Sequence, residues 1–396
     1  MKPVKVALVG SGNISYTYLH TLTKGGFRIT EMVGCSDLIP ERSKARAETF
    51  GIRQMTNEEI LSDPEIEIVL NTTGPMDHHD VTKSILEAGK HAYSEKALDR
   101  SYEAAKELYD LAASKNLYVG AAPDCYMGSG YQTARKLIDD GWIGTPLFAH
   151  AFCYRGYNAN ERPADHPNFG AAGTTIHYDM SGYYINVLVN LFGSVRRVSG
   201  FSRAGAGKIL TNPLHPNYRQ PAAPGAGSTT SMGILEFEDG CYASLTLTSD
   251  GTGPEVPRVE VYGTLGHMTL TDPNNFGGWG DYVYLTRMGN ERMKMPFTHG
   301  FSDIDPKIPP ISEKPWEPCY NSWRGIAVVD MAWAIRRNRL PRSSAELALH
   351  AVEVAAAIDR SNAENTTFTI TTNPGRPAPL APGLMGRSAE ASIDNI

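Results

Sequence analysis

The 396-residue sequence has little of several features that would mark a specialised protein class. Its five cysteines (Cys35, Cys125, Cys153, Cys241 and Cys319) are odd in number and lie far apart, with no pair at metal-ligand spacing. That excludes a disulfide framework, argues against structural zinc and predicts reduced thiols. No apolar run approaches the roughly 20 residues that a membrane span requires. Basic blocks are absent too: 37 Lys and Arg stand against 43 Asp and Glu, for a formal net charge of -6. The sequence therefore carries no electrostatic footprint for nucleic acid or an anionic membrane. Met1–Lys5 leads straight into an apolar run without the pattern of a signal or transit peptide, so a cytoplasmic location is expected.

What is present is a globular composition, 41% hydrophobic and 20% charged, at a length that suits two domains. Up to residue 122, strand-like and helix-like segments alternate: Val4–Leu8, Asn13–Lys24, Ile29–Cys35, Pro40–Phe50, Ile66–Asn71, His78–Ala88, His91–Ser94, Tyr102–Ser114 and Leu117–Ala121. Repeated strand–helix units imply right-handed crossovers and a doubly wound parallel sheet, an α/β Rossmann domain over 1–122. After Pro123 a helix, a strand and a second helix (Asp179–Phe192) give way to consecutive strands between Val195 and Met295. These are separated by turn signals such as Glu238-Asp239-Gly240. Strands in series predict a largely antiparallel sheet, so 123–372 is expected to be an α+β domain. Helices are expected over Ser322–Arg337 and Ser344–Ser361. Residues 373–396, rich in Pro, Gly and Ala, read as an extended tail, either mobile or lying along a neighbouring subunit.

The turn Gly10-Ser11-Gly12-Asn13-Ile14-Ser15 follows the first strand and opens the first helix. Gly10 permits a tight turn and Gly12 lets backbone approach a pyrophosphate, which would rest on the helix N-terminus at Asn13 and Ile14. Ser15 occupies the third glycine position, so the context of a strand–turn–helix unit carries the assignment. Asp37 falls just after the second strand, where a carboxylate accepts hydrogen bonds from ribose hydroxyls. Leu38 and Ile39 follow it with no adjacent Arg for a 2′-phosphate, which favours NAD over NADP.

Gly89-Lys90-His91-Ala92-Tyr93-Ser94-Glu95-Lys96-Ala97-Leu98 resembles the G-K-H-x-x-x-E-K-P-L motif of the Gfo/Idh/MocA oxidoreductases. Thr73-Gly74-Pro75-Met76-Asp77-His78 is similar to that family's T-P-x-x-x-H segment. Asp179-Met180-Ser181-Gly182-Tyr183 is similar to its D-x-G-x-H helix start, and closer still to a D-M-x-P-Y-Y variant found in a sugar-dehydrogenase-like branch. The resemblance implies NAD(P), held by residues including Thr73, His78, Glu95 and Lys96, and a sugar or cyclitol bound between the two domains. It also implies a homodimer or homotetramer formed through an exposed face of the second sheet. Ala97 replaces the motif's proline, so the cis peptide associated with that proline is not assumed. Asp124, Cys125 and Tyr126 replace Asn-Arg-type residues at the floor of the substrate site, and Tyr183 stands where histidine is usual.

Oxidation of a secondary hydroxyl needs a group to polarise the oxygen and one to take its proton. Lys96, at a strand's C-terminal end, is the expected polarising group. Three residues remain open as the proton acceptor. Asp179 also reads as a helix N-cap, and Tyr183 shares its helical face at i,i+4. His177 would point to the same side as Asp179 if Ile176–Asp179 is extended. The loop Asp165-His166-Pro167 and the aromatics Trp279, Tyr282 and Tyr284 are further candidates to frame a sugar, or are simply packing. The expected function is an NAD-dependent dehydrogenase of a sugar, glycoside or cyclitol. The alternatives are a redox-neutral, NAD-dependent glycoside-cleaving enzyme and a non-catalytic NAD-binding regulator.

Overall fold

A computed structural model describes residues 1–154, 175–204, 228–250, 258–270, 272–277, 282–302, 322–383 and 393–394. Its first layer is built from β1 (Val4–Val9), α1 (Ser15–Lys24), β2 (Thr30–Ser36), α2 (Pro40–Phe50), β3 (Arg53–Gln54) and α3 (Asn57–Ser62). It continues through β4 (Ile66–Asn71), α4 (His78–Glu87), β5 (His91–Ser94), α5 (Tyr102–Ser114) and β6 (Val119–Ala121). The six strands form one parallel sheet in the order β3-β2-β1-β4-β5-β6. The central strands β1 and β4 are near-continuous apolar runs because both their faces are covered. The strand order reverses between them, which opens a crevice at their C-terminal ends, where Val9 pairs with Asn71.

The sequence reading placed no element between Phe50 and Ile66, yet β3 and α3 occupy that span. Their signal is local: Thr56 caps the Glu59 amide, and the Glu59 carboxylate accepts from the Thr56 amide in return. This reciprocal pair is a capping box.

The second layer comprises α6 (Ser129–Asp139), β7 (Pro146–Tyr154), α7 (Ile176–Phe192), β8 (Val195–Arg203), β9 (Thr230–Phe237), β10 (Tyr242–Thr248), β11 (Arg258–Gly263), β12 (Gly266–Leu270), β13 (Val283–Arg287) and β14 (Met293–Met295). The helices α8 (Ile326–Arg337) and α9 (Ala345–Glu364) follow, then the short strand β15 (Phe368–Thr369). Nine strands join in the order β14-β13-β12-β11-β7-β10-β9-β8-β15, antiparallel except where β7 meets β10. Alternation puts Val198, Leu235, Ala243, Ala149, Val261, Met268 and Leu285 on the buried face. The opposite face presents Phe148, Phe152, Phe201, Met232, Ile234 and Tyr242 to solvent.

The C-terminal helices tie the layers together. One side of α9 packs on β8 and α7, another on α5 and β6, and α8 reaches α1.

Residues 373–383 are extended, as expected, and they are anchored on the chain's own second layer rather than detached. Buried Arg135 donates to the Pro377 carbonyl, and Arg342 donates to the carbonyls of Ala378 and Pro379. The Leu380 amide donates to Gln132, and the Leu380 carbonyl meets the His299 ring. Leu380 and Ile393 are themselves buried. An extended segment without its own ladder has found partners for its backbone in buried side chains.

Candidate active site

The Gly-rich turn sits at the crevice. Gly10 has φ +94°, and a Cβ there would come within 2.6 Å of the Thr73 amide nitrogen, so only glycine fits. At Gly12 a Cβ would meet nothing within 4 Å, so the backbone there faces open space. The first turn of α1 has no side-chain cap and no acidic residue, which leaves its positive dipole end for an anion. Asp37 follows β2 as expected, and it also braces the turn. Its carboxylate accepts from the Ser11 amide at 2.7 Å and from the Ile39 amide at 2.8 Å. These features fit a dinucleotide: Gly10, Gly12, Asn13 and Ile14 around the diphosphate, and Asp37 at the adenosine ribose.

Lys96 lies just past β5, at the same sheet edge. Its ammonium forms an ion pair with Asp179 of α7. Burial works against that charge, but Asp179, Tyr183 and Glu95 more than offset it, and the Lys96 pKa lies above its ordinary value. Glu95 is buried and anchored: one carboxylate oxygen accepts from Tyr18 Oη at 2.6 Å, the other from the Lys96 amide at 3.1 Å. The Lys96–Ala97 peptide is cis although Ala97 replaces the motif's proline.

α7 begins at Ile176, earlier than the sequence suggested, so Asp179 sits in the first turn and is not the N-cap. The positive end of the helix favours a carboxylate there. Tyr183 is one turn further on, with Lys96 Nζ 5.7 Å from its ring centroid.

His177 is not brought to this site. The expectation required an extended Ile176–Asp179. In a helix, residues two apart point about 200° away from each other. The His177 ring is fully buried, with Nδ1 2.8 Å from Ser231 Oγ and Nε2 2.9 Å from the Ala355 carbonyl. It holds α7 against β9 and α9. His78 is similarly occupied, with Nδ1 3.2 Å from the Ala97 carbonyl and Nε2 3.1 Å from the Thr73 carbonyl. It clamps the loop after β4 to the loop after β5. Thr73 Oγ1 donates to Asn71, so its side chain is also spent on shaping that loop.

Asp124 is fully buried and caps the start of α8, its Oδ2 accepting from the Gly325 and Ala327 amides. Burial pushes its pKa up to about 6, against the pull of those amides and Arg324. Cys125 and Tyr126 are buried as well, so this triplet supports the floor of the site from beneath. The Tyr282 and Tyr284 rings lie tilted against each other with centroids 3.8 Å apart, and Lys294 and Arg292 sit over them, so they pack at the edge of the second sheet. Trp279 and the segment 165–167 lie outside the described residues.

Sequence reasoning missed Arg324 and Asn274. Arg324, just before α8, donates from Nη1 to Tyr183 Oη at 2.9 Å. Its Nη2 donates to Asn274 Oδ1 at 2.6 Å and to the Asn274 carbonyl at 3.2 Å. The Asn274 turn was legible as a turn, but nothing in the sequence linked it to position 324 or 183.

A family model described as the oxidoreductase family with an NAD-binding Rossmann fold matches residues 4–122, and the GFO/IDH/MocA C-terminal domain matches residues 131–269. An uncharacterized oxidoreductase of Schizosaccharomyces pombe is 31% identical over 199 residues, 49% of this chain and 53% of that protein. An inositol 2-dehydrogenase/D-chiro-inositol 3-dehydrogenase of Lactiplantibacillus plantarum is 29% identical over 46% of this chain and 52% of that protein. The scyllo-inositol 2-dehydrogenase (NAD(+)) of Bacillus subtilis is 24% identical over 67% and 73%. The chain thus spans about half the length of the first two of these relatives. Among solved structures, an NAD binding oxidoreductase from Klebsiella pneumoniae superposes with a TM-score of 0.76 at 16% identity, covering 94% of this chain and 100% of that one. Levoglucosan dehydrogenase in complex with NADH and L-sorbose superposes at 0.74 and 20% identity, with coverage of 94% and 100%. Two domain matches in the right order, on a parallel sheet followed by a mainly antiparallel one, show that this chain belongs to the Gfo/Idh/MocA family of NAD-binding oxidoreductases.

Proposed function

We propose that the chain is an NAD-dependent dehydrogenase that oxidises a secondary hydroxyl of a sugar, glycoside or cyclitol. The observation that carries this is the Lys96–Asp179 ion pair at the C-terminal edge of the parallel sheet, with Tyr183 one turn along α7. Relatives named as inositol dehydrogenases support the substrate class. A nicotinamide dinucleotide held by the Gly10–Ile14 turn and Asp37 would supply the hydride acceptor for the carbinol carbon.

The chain's own residues handle the oxygen and its proton. Lys96 keeps its proton because Asp179, Tyr183 and Glu95 favour the charged form. It therefore serves as a fixed cation that polarises the hydroxyl and stabilises alkoxide character, not as a base. Asp179 holds Lys96 in place. With His177 engaged elsewhere, Tyr183 takes the proton. Asp37, followed by apolar Leu38 and Ile39, favours NAD over NADP by repelling a 2′-phosphate.

The protein is expected to pair with a second copy through the exposed sheet face, where Phe201 is 72% and Ile234 53% exposed. Contiguous apolar surface of that kind marks an interaction site. Ile234→Lys should shift the sedimentation profile to the monomer. The described cysteines are free buried thiols, which suits a cytoplasmic setting.

The deciding assay mixes the purified protein with NAD and a panel of sugars and cyclitols and follows NADH absorbance. Lys96→Met should lower kcat by about 10²–10³-fold, the range typical of a lost oxyanion-stabilising group. Near-normal turnover in that variant would sink the mechanism. Product release without net NADH would point to redox-neutral cleavage.

A further inference from the structure

Tyr183 presents a chemical difficulty that the proposed reaction does not solve by itself. A phenol one turn from Asp179 replaces an imidazole, and burial pushes its pKa up to about 12, against the pull of Arg324 and Lys96. Some group must lower the cost of placing negative charge on that oxygen. Arg324 Nη1 meets it at 2.9 Å, and the guanidinium lies 5.4 Å from the ring centroid, while Lys96 lies 5.7 Å from the same ring. The tyrosine therefore has two cations within 6 Å of its ring. Among the described residues its hydroxyl accepts from Arg324 and donates to none, which leaves its proton directed elsewhere.

The arginine is itself locked. Its second nitrogen is taken by both Asn274 oxygens, its backbone by Ser322, and the next residue by Asp124. A guanidinium with one arm fixed offers the other in a set direction, which a lysine cannot reproduce.

We propose that Arg324, held by Asn274, is the positioning residue that fixes the orientation of the Tyr183 hydroxyl and stabilises its ionised form during proton transfer. The inference rests on the dehydrogenase reading and adds a residue to it. In the step, Tyr183 first gives up its phenolic proton to solvent, with Arg324 Nη1 hydrogen-bonded to the oxygen left charged; the substrate O–H bond then breaks and its proton joins that phenolate oxygen. The C–H electron pair leaves with its hydrogen to the oxidised nicotinamide dinucleotide, and the carbon becomes a carbonyl. Tyr183 then returns its proton to solvent. The charged and titratable groups around the phenol are Arg324 before α8, Lys96 and Glu95 after β5, Cys125 beneath and Asp179 on its own helix.

The test uses the full-length, NAD-loaded protein with tyrosines labelled at the ring carbon bearing oxygen. Tyr183→Phe identifies the Tyr183 NMR signal. In Arg324→Met that signal should move at neutral pH, and the onset of its alkaline titration, followed over the pH range in which the fold is kept, should move to higher pH. Arg324→Lys should recover the charge effect but not the neutral-pH position. In turnover, Arg324→Met should lower kcat at least tenfold at fixed pH and move its rising limb to higher pH, with KM nearly constant. A purely structural arginine would change protein yield or NAD affinity without moving the titration.

An unchanged Tyr183 signal and titration in Arg324→Met overturns the proposal whatever the kinetics show. Persistent turnover in Lys96→Met would overturn the dehydrogenase mechanism instead. The spectroscopic result on Arg324 would still stand or fall independently.

Discussion

Replacing Arg342 by Met tests whether the C-terminal strap is part of the fold. The Arg342 guanidinium is almost wholly buried and pairs with Asp330 Oδ1 at 2.6 Å; Asp330 is fully buried. The same side chain donates to the carbonyls of Ala378 at 2.7 Å, Pro379 at 3.0 Å and Ile393 at 3.0 Å. Removing it leaves strap carbonyls without their donor and weakens the neutralisation of Asp330, which among the described residues keeps Arg339 as its one cationic partner. Summing charged hydrogen bonds would overshoot, because they act as one unit. Breaking one partner of a buried ion pair costs about 3–5 kcal/mol, and that bounds the effect. At roughly 2–4 °C per kcal/mol for a cooperative unit of 150–250 residues, Tm should fall by about 6–20 °C. Calorimetry at one scan rate measures it, and limited proteolysis should show early cleavage beyond residue 372. A drop under about 2 °C with an intact C-terminus would refute the strap as a structural element.

His177→Leu should leave kcat within about twofold while costing roughly 1–3 kcal/mol of stability, because Ser231 and the Ala355 carbonyl lose a buried partner; a large loss of turnover would restore His177 to the chemistry. Gly10→Ala should abolish measurable NAD binding by calorimetric titration, since φ +94° and a Cβ 2.6 Å from the Thr73 nitrogen forbid the turn. His350 is held down to about 4 by burial, with Nε2 accepting the Val195 amide. Its folded value lies below the ordinary 6.5, so its contribution is complete above that pH and is lost as pH falls from about 6.5 to 4. Up to about 3 kcal/mol is at stake. His350→Gln should flatten that limb of the acid stability curve, measured by chemical denaturation at several pH values.

Much of the fold and part of the site could be read without coordinates because their causes are local. Short apolar runs alternating with amphipathic segments specify a parallel sheet. The Gly10–Gly12 turn, Asp37 and Lys96 belong to strand ends, where chain direction already sets their place. The capping box at Thr56 was equally local, but its helix of six residues was too short to show periodicity.

The decisions left to tertiary structure concern which side chains meet across distant segments. Whether His177 faced the reaction depended on where α7 began, and a helix that starts three residues earlier turns it away from Asp179. Arg324 and Tyr183 are 141 positions apart and bonded directly, with Asn274 from a third segment holding the arginine. No periodicity encodes such a contact. The tail looked detachable because its composition lacks helix and strand signals. Its carbonyls are satisfied by arginines buried elsewhere, and burial with hydrogen bonding is a property of the packed whole. The sequence alone thus determined the family, the parallel sheet and Lys96 at its edge. Packing decided which side chains surround Tyr183, because residues from distant segments converge on one phenol.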